Sequence, residues 1–175
     1  MNDALARGLS FLLSRQHPAG FWPDWDLPVS SSSLWTTAYI GWRLTSYGQV
    51  ADVLNTVADA LQRAADWLEA SELTGGGWGY TESVGADADS TSLGILFLQA
   101  MGRRVPETAL QRLLSFHRDD GGFGTYSYEQ SFGAWTSSQV EITAIAALAL
   151  QATGMAPDTV TRATTFLRHH RRSDG

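Results

Sequence analysis

The chain has 175 residues, is 43% hydrophobic and 17% charged, and carries a net charge of −6. A domain of about this length buries roughly 70% of the surface its unfolded chain exposes, so it can hold a sizeable core. All 12 basic residues are arginine and cysteine is absent, which excludes a Walker-type phosphate loop, a Schiff-base lysine, a thiolate metal site and a disulfide framework.

Hydrophobic periodicity predicts seven helices. The first, over 3–16, has one apolar stripe and stops at Gln16-His17-Pro18-Ala19-Gly20-Phe21-Trp22. The second, over 33–47, is apolar on almost every side, which for a helix means burial on two faces. The third, over 51–71, sets Leu61, Ala64, Ala65, Trp67 and Leu68 opposite Arg63, Asp66 and Glu69, and stops at Glu72-Leu73-Thr74-Gly75-Gly76-Gly77-Trp78. An apolar helix over 89–102 follows, then a striped one over 106–117 that ends at His117-Arg118-Asp119-Asp120-Gly121-Gly122-Phe123. The last pair covers 137–153 and 158–170, and Arg171-Arg172-Ser173-Asp174-Gly175 opens a further copy that the chain leaves unfinished. Pro106 and Pro157 stand near starts of striped helices, and Gly102 and Gly154 end the apolar helices before them. The stretches 75–80 and 121–128 read as loops without strand alternation.

The sequence therefore repeats at about 45 to 57 residues. A repeat of that length is a supersecondary unit that must stack on its neighbours to bury its apolar face. Phe11-Leu12, Trp67-Leu68 and Phe166-Leu167 each place the aromatic nine residues before Gly20, Gly76 and Gly175, whereas the best match in the third copy, Leu113-Leu114, slips by one. The apolar helices align on Thr37, Thr91 and Thr143. Apolar helices inside and striped helices outside make an all-α, α/α toroid. Three hairpins and one further outer helix are present, a single domain over 1–175 ending in mid-repeat, where a ring of six pairs would need roughly 300 residues. The outer helix left without a partner exposes an apolar face, so self-association is expected.

The four histidines lie near helix ends without a ligand spacing, and no metal site is expected. Arginines from 162 to 172 crowd one helix end, where they complement the dipole; an acidic chain with one basic helix end is a poor nucleic-acid binder. With no apolar run near 18 residues and no secretory h-region in MNDALARGLS, the expected location is cytoplasmic, with peripheral membrane contact as an addition.

The segment Gln16-x-x-Ala19-Gly20-x-Trp22 resembles the QW motif of squalene and hopene cyclases and of other proteins built from prenyltransferase and squalene-oxidase repeats, with degenerate copies at 72–78 and 117–123. The resemblance covers the whole chain and implies the α/α toroid. In such a motif the Gln would bind exposed amides at the start of a neighbouring helix while the Trp packs over it. Asp87-Ala88-Asp89-Ser90-Thr91 is similar to the D-x-D-D-T motif of class II terpene cyclases, with Ser90 in the fourth place. By that resemblance Asp89 is the acid that protonates a polyene and Asp87 its flanking partner. An acid for this step must stay protonated near neutral pH, which burial or a nearby like charge would achieve. Capping of the helix by Asp89 is an equally ready reading, and there the dipole would lower its pKa.

If the three threonines share a column, the residues two before them, Trp35, Asp89 and Glu141, lie at one level on successive inner helices. Glu141 either looks into the same space as Asp89 or complements the dipole from the first turn. The expected substrate-binding residues are Trp35, Tyr39, Glu141 and Trp135. Protein prenyltransferase β subunits need a Cys for zinc, and class I terpene synthases need a D-D-x-x-D helix, which Asp119-Asp120 in a loop does not provide. The α/α-toroid glycosidases remain a remote third. Two functions from different classes follow: a class II cyclase-like enzyme acting on an isoprenoid, with no cofactor beyond magnesium for a diphosphate substrate, and a non-catalytic repeat module that binds a ligand or a protein partner.

Overall fold

The computed structural model describes residues 3–24, 26–28, 30–46, 51–130 and 132–171. Of the copy expected from 171 onward, residues 172–175 lie outside the described residues. Among the described residues seven α-helices follow in order: α1 Asp3–Arg15, α2 Leu34–Ser46, α3 Ala51–Ala70, α4 Ala88–Ala100, α5 Glu107–Leu114, α6 Val140–Thr153 and α7 Pro157–His169. The inner helices α2, α4 and α6 stand side by side, and α3, α5 and α7 back them from outside. The chain is an arc of α/α hairpins, as the repeat predicts.

Two boundaries differ from expectation for one reason. Helix α5 stops at Leu114 and α6 starts only at Val140, because the intervening chain is spent on bridges: His117 pairs with Phe123, and Phe123 with Gln139. A two-residue antiparallel pair, Asp26–Leu27 with Ser30–Ser31, and two 3-10 turns, Tyr128–Gln130 and Gly133–Thr136, also occupy stretches between the expected helices. Burial on every side holds only for α4, which lies between α2 and α6; Tyr39 on α2 and Leu148 on α6 are exposed because each of those helices has one inner neighbour.

The junctions are built alike. Gly20, Gly76 and Gly121 have φ of +111°, +83° and +91°, and a Cβ at any of them would run into the backbone carbonyl of Arg63, Thr108 or Arg162 on the next outer helix. Only glycine both adopts this backbone and lets the helix come so close. The aromatic two residues on then turns inward: Trp22, Trp78 and Phe123 are each at most 1% exposed. Their backbone N–H groups donate to the hydroxyls of Thr37, Thr91 and Thr143 at 2.8, 3.1 and 2.9 Å. The indoles of Trp22 and Trp78 donate to the carbonyls of Leu12 and Leu68, both at 2.8 Å.

This geometry corrects two expectations. Leu12, Leu68 and Leu113 each lie eight residues before their glycine, so the third copy keeps its register and carries Arg112 where the others have an aromatic. Gln16 does not reach helix-start amides. Its amide nitrogen donates to the carbonyls of Gly20 and of Ala60, which lies within α3, at 2.7 and 2.8 Å, while Arg63 donates to its oxygen at 2.6 Å. The glycine contact brings the middle of α3 against the loop, leaving carbonyls as the partners within reach.

Candidate active site

Because the three threonines make the same bond, the residues two before them stand at the same level on adjacent helices. Trp35 from α2, Asp89 from α4 and Glu141 from α6 line one pocket of about 200 Å³. Tyr39 and Trp42 follow Trp35 at helical spacing, and Leu93, Ile142 and Ile145 complete the wall. Of the four pocket residues absent from the sequence reading, Trp42, Leu93 and Ile145 lie one or two turns below the aligned column, where helical spacing from Trp35, Asp89 and Glu141 could have found them, and Ile142 directly follows Glu141.

The two aspartates divide. Asp87, not Asp89, is the N-cap of α4: one carboxylate oxygen accepts from the Ser90 N–H at 2.7 Å and the other from the Ser90 hydroxyl at 2.8 Å. Asp87 is 4% exposed and does not reach the pocket. Burial pushes its pKa up to about 7, against the two bonds from Ser90, with a smaller upward contribution from Asp89. The loop after α5 closes this cap. Thr125 accepts the Ala88 N–H at 2.9 Å, and the buried Arg118 donates to the carbonyls of Thr136 and Tyr126 and lies over the Tyr128 ring.

Asp89 begins the helical turn one residue inside and points at the pocket. Its carboxylate accepts the Trp35 indole N–H at 2.6 Å. Burial raises its pKa most, the bond from Trp35 lowers it, and the charge of Glu141 raises it further. Trp35 stacks on Tyr39 with centroids 5.2 Å apart and planes 3° from parallel. Glu141 is both in the first turn of α6 and at the pocket, so the two readings of it coincide. Trp135 is not brought there: it sits in the surface turn Gly133–Thr136, 58% exposed. That turn serves the Arg118 loop through backbone bonds, which leaves its indole outside.

Among the described residues no three His, Asp or Glu side chains gather as a metal-binding group, and no helix is long and apolar enough to cross a membrane.

No protein-family profile matches the chain. It is 30% identical over 169 residues to drimenyl diphosphate synthase from Streptomyces showdoensis, covering 91% of this chain and 29% of that protein. Among solved structures it is similar to the type II terpene cyclase MstE from Scytonema, with 26% identity and a TM-score of 0.81 over 98% of this chain and 50% of that one. A variant of MstE solved in complex with geranylgeranyl dihydroxybenzoate, named as its substrate, matches at 25% identity and a TM-score of 0.81, covering 98% and 51% of the two chains. A protein from Actinoplanes matches at 26% and 0.82, covering 97% and 52%. The chain thus spans about half the length of these structures and less than a third of the curated relative. In repeat and fold the chain is an α/α toroid similar to about half of the type II terpene cyclase MstE.

Proposed function

We infer that the pocket at the head of α4 starts cyclisation of a linear isoprenoid by proton transfer from Asp89. The observation that carries this reading is a carboxyl group, raised in pKa by burial, that opens into a pocket walled by Trp35, Tyr39 and Trp42. An alkene is a feeble base, so its protonation needs a carboxylic acid that holds its proton near neutral pH. The cation that results is stabilised by aromatic faces, and the apolar wall keeps water from it. Asp87 has the clearer pKa rise, but geometry comes before pKa: it cannot touch a substrate it does not face. Its role is to fix the first turn of α4, and so the aim of Asp89.

The wall is apolar and aromatic, which suits a hydrocarbon chain end, and the names of the similar proteins point to isoprenoids in the same way. Magnesium would enter only with a diphosphate substrate. One observation favours the non-catalytic alternative: Ser90 replaces the third carboxylate of the D-x-D-D-T pattern, and its hydroxyl serves the cap.

The test is incubation with squalene, geranylgeranyl diphosphate and geranylgeranyl dihydroxybenzoate, with chromatography and mass spectrometry to resolve a cyclic isomer of unchanged mass. Asp89→Asn should abolish product while circular dichroism stays that of the wild type, since Asp89 is not the cap. Wild-type product formation by the Asn variant would sink the role of Asp89, and no product from the wild type with any of the three would favour the binding module.

A further inference from the structure

The bond between Trp35 and Asp89 raises a question that the acid alone does not answer. An indole N–H donates and never accepts. Trp35 can therefore steady the carboxylate that Asp89 becomes on giving up its proton, but it cannot bring a proton back. Asp89 itself is only partly exposed, and closure of the pocket by substrate removes water from it. A carboxyl group beside it that stays open to solvent would reload the acid as soon as product leaves.

The groups that face Asp89 can be taken element by element. From α2 come Trp35, a donor only, and Tyr39, a phenol stacked on Trp35; phenols are far weaker acids than carboxyl groups. The outer helices α3 and α5 contribute no residue to the pocket. Asp87 at the cap is buried, turned to Ser90 and away from the pocket. From α6 comes Glu141, a carboxyl group that lines the pocket and is also exposed to solvent. It stands at the level of Asp89 on the neighbouring helix, because Thr91 and Thr143 two residues on make the same bond.

We propose that Glu141 is the proton-return residue of this pocket, a carboxyl group that takes a proton from solvent and hands it to Asp89 between turnovers. This rests on the reading of Asp89 as the acid. In the initiating step the O–H bond of Asp89 breaks, a C–H bond forms on the alkene, and the carboxylate stays held by Trp35. The proton lost from the cation at the end of cyclisation leaves with water, outside this step. Glu141 then passes its proton to the Asp89 carboxylate, directly or through one water, and is reprotonated by solvent. The charge of Glu141 raises the pKa of Asp89, as a like charge at the same pocket does.

Two measurements on Glu141→Gln decide it, the first independent of turnover. In carboxyl-carbon NMR titrations, Asp89 should titrate lower in Glu141→Gln than in the wild type; an unchanged titration overturns the proposal whether or not the protein is a cyclase. In rapid-mixing assays with the substrate that the product analysis identifies, Glu141→Gln should keep a first turnover close to one equivalent, while its steady-state rate falls by on the order of tenfold or more and is partly restored by added formate. A steady-state rate equal to that of the wild type sinks the relay and leaves the cyclase reading standing. A wild type that forms no cyclic product sinks the cyclase reading and the relay with it.

Discussion

The junctions between hairpins and the wall of the pocket lie two residues apart on the same inner helices, yet they follow opposite rules. At the junctions the repeat is strict: a left-handed glycine against a carbonyl, an inward aromatic, and a threonine hydroxyl under its amide, three times over. At the pocket the equivalent places hold an indole, a carboxyl group that acts as acceptor, and a second carboxyl group open to solvent. The junction must satisfy buried backbone and fill volume, and few residues do both. The pocket is relieved of that duty, so its positions are free to differ, and the chemistry sits where the repeat breaks its own pattern.

The contrast is tested first by breaking a junction. Trp78 is fully buried and its indole is bonded to Leu68, so Trp78→Ala should cost about 3 to 5 kcal/mol in urea unfolding. Trp22→Ala should fall in the same range. A loss below about 1 kcal/mol would mean that the repeat is not held by these aromatics.

Asp87 stands between the two regions, and its effect is pH-dependent. Its pKa is near 7 in the fold and about 3.9 in an unfolded chain. A group raised in this way contributes stability that is fully present below about pH 4 and lost as pH rises through 7. Asp87→Asn removes the titration and keeps the cap. The stability of the wild type relative to the variant should therefore fall by on the order of a few kcal/mol between pH 4 and pH 8. A constant difference across that range would show that Asp87 ionises freely.

A lesser cost is expected at the hydroxyl of Thr91, which accepts the Trp78 N–H and donates to the Trp78 carbonyl. Thr91→Val keeps the shape but leaves the Trp78 N–H buried without this partner and its carbonyl with the Asp87 N–H alone, which should cost about 1 to 3 kcal/mol by the same unfolding measurement. No loss would reduce the threonine column to a coincidence of alignment.

The hairpins and the threonine column were legible because period and pattern act at every repeat. That column in turn predicts Trp35, Asp89 and Glu141 at one level, and they line one pocket. What escaped was decided by single residues. Whether Asp87 or Asp89 caps α4 turns on two positions of the helix start, within the usual uncertainty of such boundaries. The partner of Gln16 depends on how closely α3 approaches, which a sequence does not state. The slip in the third copy followed the aromatic, whereas the leucine carried the register, buried at Leu68 and Leu113 and partly buried at Leu12, and Arg112 had taken the aromatic's place.

Trp135 gives the smallest expected effect and the cleanest control. Its residue type argued for the pocket, but residue type carries no address: the same side chain is junction at Trp22 and Trp78, wall at Trp35 and Trp42, and surface at Trp135. The turn that holds it serves the loop through backbone groups, with the Trp135 carbonyl accepting from Tyr126 and its N–H donating to Phe132. Trp135→Ala keeps these bonds and removes an indole that is 58% exposed. Unfolding should move by no more than about 0.5 kcal/mol, and product formation should be that of the wild type. A loss above about 1 kcal/mol would place the indole in a packed contact, and a loss of product with stability unchanged would return Trp135 to the substrate's path.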